Sequence, residues 1–289
     1  MYNKISVPLD GSKLAEQILP YVRALAAPFD IPVDLFTVSD PEARPPFWPP
    51  QAGKGYLQGI REKYFPSPAR AAIHVEIGVP ADVIVERDRT EAGCLIAMAT
   101  HGMSGIRRWL IGSVASKVVQ RAVNPLLLIR PVEGVDPATP VKLTTVIVPL
   151  DGSGLAEKVL PHVVALAKDL KWEVQLIRMY QVSPNAYVMA DGGIAQGPGL
   201  FREEMQKEAE LYLEGKIDQL RAEGLDHVSA NAIEGDAAGE IIDIALRTEQ
   251  NLIAMCSHGR SGIGRWLLGS VTEKVVQHSK DPVLVIRAR

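Results

Sequence analysis

The chain has 289 residues, 47% hydrophobic and 22% charged, and 31 Lys and Arg against 34 Asp and Glu leave a formal net charge of −3. At about 150 residues per domain that length predicts two domains, and the charge balance excludes bulk electrostatic binding to nucleic acid or an anionic membrane. Two cysteines, Cys94 and Cys256, exclude a disulfide framework, and no apolar run reaches the roughly 18–20 residues of a membrane span.

The expected compartment is the cytoplasm, because Met1 to Pro8 leads to Asp10 before a signal-peptide apolar region forms. In chain order, Ile5 to Leu9 is a short apolar strand that stops at Asp10-Gly11-Ser12. A helical pattern follows from Leu14 to Ala27. Val33 to Val38 and His74 to Ile77 read as strands two and three, with a helix predicted over Ala81 to Thr90. Cys94 to Ala99 is an uncharged, buried strand. Val114 to Ala122 is helical, and Leu126 to Ile129 is the last strand of this half.

The second half repeats the first. Val7-Pro8-Leu9-Asp10-Gly11-Ser12 returns as Val148-Pro149-Leu150-Asp151-Gly152-Ser153, and the block from Met98 to Pro125 returns from Met255 to Pro282. Strands are predicted again at Val146–Leu150, Glu173–Met179, Val228–Ile233, Leu252–Cys256 and Val283–Ile286. Apolar strands alternating with amphipathic helices indicate a parallel sheet covered on both faces. The fold class is therefore α/β, as two tandem copies of a five-stranded, doubly wound sandwich. Residues 1–131 and 141–289 form the copies, and the Pro-rich stretch 132–140 joins them. The copies diverge after the second strand. Copy one carries prolines around Phe47-Trp48, a candidate lid or partner surface, then a short helix near Tyr56 to Tyr64. Copy two carries a Gly-rich loop from Asp191 to Gly199, then a long helix from Phe201 to Ala222.

The chemistry concentrates in the block after the fourth strand. Gly102, Gly105, Gly112 and Ser113 follow a buried strand and open a helix, and Gly259, Gly262, Gly269 and Ser270 do the same in copy two. Ligands of open α/β sheets sit at this end of the strands. Glycines let the backbone approach an anion, and a helix N-terminus favours phosphate. Ser270-Val271-Thr272-Glu273 also has capping-box spacing, so helix capping is the competing role for the serine. Asp10 is likewise a turn former in its own right. His101 and His258 read as loop hydrogen-bonders. Arg108-Trp109 and Arg265-Trp266 pair a core-covering ring with a cation near the phosphate region. P-loop, dinucleotide-fingerprint, zinc and nucleophile-elbow motifs are absent.

The Val-Pro-Leu-Asp-Gly-Ser opening, with Gly102-x9-Gly112-Ser113 and Gly259-x9-Gly269-Ser270, resembles the universal stress protein family in its tandem two-domain form. The resemblance covers essentially the whole chain. It implies strand order 3-2-1-4-5 in each copy and ATP, with or without Mg²⁺, bound outside the strand ends. It assigns Pro8, Asp10, Val38, Ala99, Gly102, Gly112, Ser113 and Val114 to the ligand in copy one. In copy two it assigns Pro149, Asp151, Met179, Cys256, Gly259, Gly269, Ser270 and Val271. Asp10 and Asp151 would lie near the ribose or the adenine, and the backbone of Val38 or Met179 would meet the base.

The family motif has glycine where this chain has Ala99 and Cys256. The sulfur of Cys256 and the bulk of Arg178 beside Met179 make copy one the expected stronger site. The resemblance also implies that the last strands of the two copies pair within the chain as a pseudo-dimer, which leaves room for a further homodimer. No nucleic acid or membrane partner is expected. A stress-response sensor or regulator is the function implied. The alternatives are an interaction protein without nucleotide and a very weak ATPase. No catalytic residue or protein metal site is assigned, because no obvious carboxylate or base stands ready to orient a water.

Overall fold

The computed structural model describes residues 2–42, 50–67, 70–103, 111–181, 198–259 and 268–287. In copy one the strands are β1 (Lys4–Pro8), β2 (Val33–Ser39), β3 (Ala71–Ile77), β4 (Cys94–Ala99) and β5 (Leu126–Ile129). The helices are α1 (Lys13–Glu16), α2 (Leu19–Phe29), α3 (Pro50–Tyr64), α4 (Pro80–Thr90) and α5 (Ser113–Arg121). Copy two has β6 (Thr145–Pro149), β7 (Glu173–Tyr180), β8 (Val228–Glu234), β9 (Asn251–Cys256) and β10 (Val283–Ile286). Its helices are α6 (Leu160–Leu170), α7 (Pro198–Ala222), α8 (Ala237–Arg247) and α9 (Ser270–His278), with a 3-10 turn at Ala156–Val159.

The described strands form one sheet in the order β3-β2-β1-β4-β5-β10-β9-β6-β7-β8. Pairing is parallel within each copy and antiparallel between β5 and β10, where Leu126, Leu127 and Leu128 face Val285, Leu284 and Val283. A short, wholly apolar strand presents unpaired backbone groups that invite pairing, and here each last strand covers the other. Side chains alternate across the sheet. Leu127, Ile129, Leu284 and Ile286 join a core under α2, α3, α6 and α7. Leu126, Leu128, Val283 and Val285 join a second core under α4, α5, α8 and α9. Both cores run through both copies.

Several predicted boundaries shift for local reasons. The single helix expected from Leu14 to Ala27 is two. Ser12 caps α1 by accepting the Ala15 N–H, and α2 restarts at Leu19 with Pro20 in its first turn, where a proline costs no hydrogen bond. Strand β3 begins at Ala71 rather than His74, because its register against β2 starts at Val33 opposite Ala71. Helices α3 and α7 are counterparts despite their different lengths. Tyr56 Oη donates to Glu16 at 3.3 Å, and Tyr212 Oη donates to Glu157 at 2.9 Å. Phe47-Trp48, both Arg-Trp pairs and the stretch 191–197 lie outside the described residues.

Candidate functional site

Strand β1 ends at Pro8, and the chain turns at Gly11, whose φ of +86° is left-handed and suits glycine; Gly152 repeats it at +84°. The Asp10 carboxylate holds this turn, accepting the Ser12 N–H at 3.0 Å and its hydroxyl at 2.7 Å through Oδ1. Its other oxygen accepts the Met103 N–H at 2.8 Å. One side chain thereby ties the end of β1 to the glycine loop after β4. In copy two, Asp151 accepts the Ser153 N–H at 2.9 Å.

Beyond the glycine loop, Gly112 N–H donates to Thr100 O at 2.8 Å, and Gly269 N–H donates to Ser257 O at 2.7 Å. These bonds set the entry of α5 and α9 against the ends of β4 and β9. A Cβ on Gly112 would stand 3.0 Å from that same Thr100 oxygen, so the residue must be small for the helix to start there. Gly112 and Gly269 are the N-caps and carry no capping side chain. Ser113 and Ser270 therefore occupy the first helical position, and the capping box that was the competing role for Ser270 does not form. Glu273 instead accepts from the Gln277 side chain at 3.1 Å. The first three amides of each helix have no acceptor within it. Their residues, Ser113-Val114-Ala115 and Ser270-Val271-Thr272, line a cavity in each copy.

The cavity in copy one measures about 260 Å³, and its wall contains Pro8, Asp10, Val38, Ala99, Gly102, Gly112, Ser113 and Val114. The one in copy two measures about 490 Å³ and contains Pro149, Asp151, Met179, Cys256, Gly259, Gly269, Ser270 and Val271. The structure thus brings each set of eight candidate residues together. Apolar side chains Val38, Ile84 and Met98 share the first wall with the polar loop. His101 is buried there, its Nδ1 3.0 Å from Thr100 Oγ1, and His258 Nδ1 lies 3.1 Å from Ser257 Oγ.

The two residues expected to weaken copy two, Arg178 and Cys256, both line its cavity, and each side chain is held by a partner in the surrounding fold. Alternation along β7 puts Met179 with the α8 and α9 core and sends the Arg178 side chain to the opposite face. There it ion-pairs with Glu208 at 2.7 Å and lies 4.7 Å over the Tyr212 ring. The Cys256 thiol points back to the 3-10 turn, 3.4 Å from Ala156 O, and burial pushes its pKa up to about 12. The helix start is also tied down more firmly in copy two, since Thr272 Oγ1 donates to Cys256 O at 2.9 Å where copy one has Ala115.

Sequence reasoning overlooked one corner of the wall, the turn after the third strand. In copy one it supplies Pro80, and in copy two it supplies Gly235, Asp236 and Ala237. Gly78 N–H donates to Ser39 O at 3.0 Å, and Gly235 N–H donates to Tyr180 O at 3.2 Å, so the two turns are equivalent. The signal was the shared glycine after each third strand. Asp40 and Gln181, just past β2 and β7, complete the same side.

The sequence profile of the universal stress protein family matches residues 1–130 and again 142–287. A universal stress protein of Methanocaldococcus jannaschii is 31% identical over 142 residues, covering 49% of this chain and 81% of that protein. One from Mycobacterium tuberculosis is 28% identical over 193 residues, covering 67% of this chain and 61% of its own length. Among solved structures, a universal stress protein from Archaeoglobus fulgidus superposes with a TM-score of 0.68 at 19% identity over 100% of both chains. A putative one from Pseudomonas aeruginosa gives 0.69 at 14% identity over 99% of this chain and 93% of its own. These two likenesses carry the fold. With two profile matches spanning nearly all of its length, the chain belongs to the universal stress protein family.

Proposed function

We propose that this protein binds ATP on the glycine loops at the strand ends and acts as a nucleotide-dependent sensor or regulator in a stress response. The observation that carries the reading is the meeting, in one cavity, of the orphan amides of α5 with the Asp10-anchored glycine loop and an apolar wall. Oriented amides at a helix N-terminus suit phosphate, and Val38, Ile84 and Met98 suit the face of a purine. The fit rests on shape as well as on donors. A side chain at Gly102 or Gly112 would occupy space taken by Asp10 or Thr100, so the loop keeps its amides close to the cavity only with glycine.

Copy two offers the same cradle, with Arg178 in its wall paired to Glu208 and the helix start braced by Thr272. We read the β5–β10 pairing as two copies meeting as the protomers of a dimer would, within one chain. Among the described residues no three His, Cys, Asp or Glu side chains gather as metal ligands, so the test compares ATP with and without Mg²⁺. Calorimetry on the full chain should show saturable ATP binding, weakened at least tenfold at one site by Gly112→Val. An absence of binding at millimolar ATP in both conditions overturns the reading.

A further inference from the structure

Helix α5 is held at its far end by the other copy. Arg287 follows β10, and because β10 runs antiparallel to β5 its side chain arrives beside the segment that leads from α5 into β5. Its guanidinium donates from Nε to Ala122 O at 2.9 Å and from Nη2 to Val119 O at 2.5 Å. These are carbonyls of the last turn, which a helix cannot satisfy itself. A cation there also complements the negative end of the helix dipole, and charge-assisted bonds from a planar fork fix direction as well as distance.

We infer that Arg287 of copy two is a positioning residue for the anion cradle of copy one, so that copy one's site is complete only with copy two in place. The inference rests on the reading of that cavity as a nucleotide site. Helix α5 has nine residues, about 13 Å end to end. Its N-terminal amides face the cavity of copy one, and its C-terminal carbonyls are gripped by Arg287. Packing through Ala115, Val118 and Val119 holds the helix against the sheet. Within copy one Arg121 pairs with Asp82 at 2.9 Å, and Asp88 accepts the Val123 N–H just past the helix. Arg287 adds the fork that reaches the Val119 and Ala122 carbonyls themselves. A binding constellation needs its donors held to about half an ångström, and on a helix this short, displacement of one end is felt at the other. Copy one therefore senses the state of the copy-two chain end without contacting the copy-two ligand.

The test reads each site separately in the full chain. Gly259→Val closes copy two, and Gly102→Val closes copy one, since a side chain at either glycine meets an Asp carboxylate. ATP is titrated into each background with and without Arg287→Ala. The expected result is an affinity loss of about fivefold at copy one and no change at copy two. A residue that only supported stability would lower the melting temperature without separating the two affinities. Arg287→Lys keeps the charge and loses the fork, and should fall between wild type and Arg287→Ala at copy one alone. It serves as the test if the alanine variant does not fold. Wild-type affinity at copy one in the folded Arg287 variants, or an equal loss at both copies, overturns the inference. A wild-type chain that binds no ATP at either site overturns the underlying reading first, before any Arg287 variant is made.

Discussion

The Asp10 carboxylate occupies the space beside Gly102 that any other residue would need: a Cβ built there would lie 1.8 Å from Asp10 Oδ2. That oxygen accepts the Met103 N–H at 2.8 Å. Gly259 and Asp151 repeat the relationship at 2.0 Å. In copy one the aspartate and the glycine thus form one device that draws the loop after the fourth strand onto the end of the first.

Gly102→Ala is expected to push Asp10 off the Met103 amide and to weaken ATP binding at copy one at least tenfold. Gly59→Ala is the control. It lies in α3 with nothing within 4 Å of the added carbon, and helix propensity predicts a gain of about 0.5–1 kcal/mol. Calorimetry and thermal melts of both variants check the contrast.

Cys256→Ala should leave nucleotide binding at copy two within twofold of wild type, because the thiol faces Ala156 O. Burial raises the pKa of Cys94 to about 11 and of Cys256 to about 12. Both therefore remain thiols near pH 8 and should resist iodoacetamide until the chain unfolds. Mass spectrometry of alkylated protein, with and without denaturant, measures this directly.

Stability should fall on acidification through a contact between the copies. Tyr2 Oη lies 3.2 Å from His162 Nδ1, with the rings stacked at 5.8 Å. Burial lowers the His162 pKa below its ordinary 6.5. The unfolded chain then binds more protons than the folded one between the two pKa values, so this contribution is present above 6.5 and is lost as the pH drops through the folded value. His162→Gln should flatten that part of the profile in denaturant titrations between pH 5 and 7.

Leu284 is fully buried opposite Leu127 at the β5–β10 seam. Leu284→Ala should cost about 2–5 kcal/mol. Both copies share the cores on either side of the seam, so the loss should appear as a lower single transition in differential scanning calorimetry rather than as selective melting of copy two.

The two five-stranded copies and their matching candidate residues were legible because the repeat wrote them twice, whereas the strand order came from the family resemblance. Pro8 and Pro149, with Gly112 and Gly269, mark matching strand and helix ends in both halves. What escaped was set by tertiary contacts and by competition for caps. Arg178 lines the copy-two cavity beside Met179, but its ion pair with Glu208 on α7 comes from a tertiary contact that no local pattern spells out. For Ser270 the spacing left capping open as a competing role, and the structure gives the cap position to Gly269, whose N–H is bonded to Ser257 O. The corner at Pro80 and Asp236 was overlooked because, apart from the shared glycine, the two turns have unlike residues. The Arg287 contact depends on antiparallel pairing of strands far apart in the chain, which no local pattern encodes.

Native mass spectrometry of the full chain titrated with ATP and Mg²⁺ tests the central claim most directly, because it counts bound nucleotides per molecule. Discrete mass increments of one and then two nucleotides are predicted for the wild type. One increment should disappear in Gly102→Val and the other in Gly259→Val. A spectrum that stays at the mass of the bare chain at millimolar ATP, or increments that both glycine variants leave intact, would contradict it.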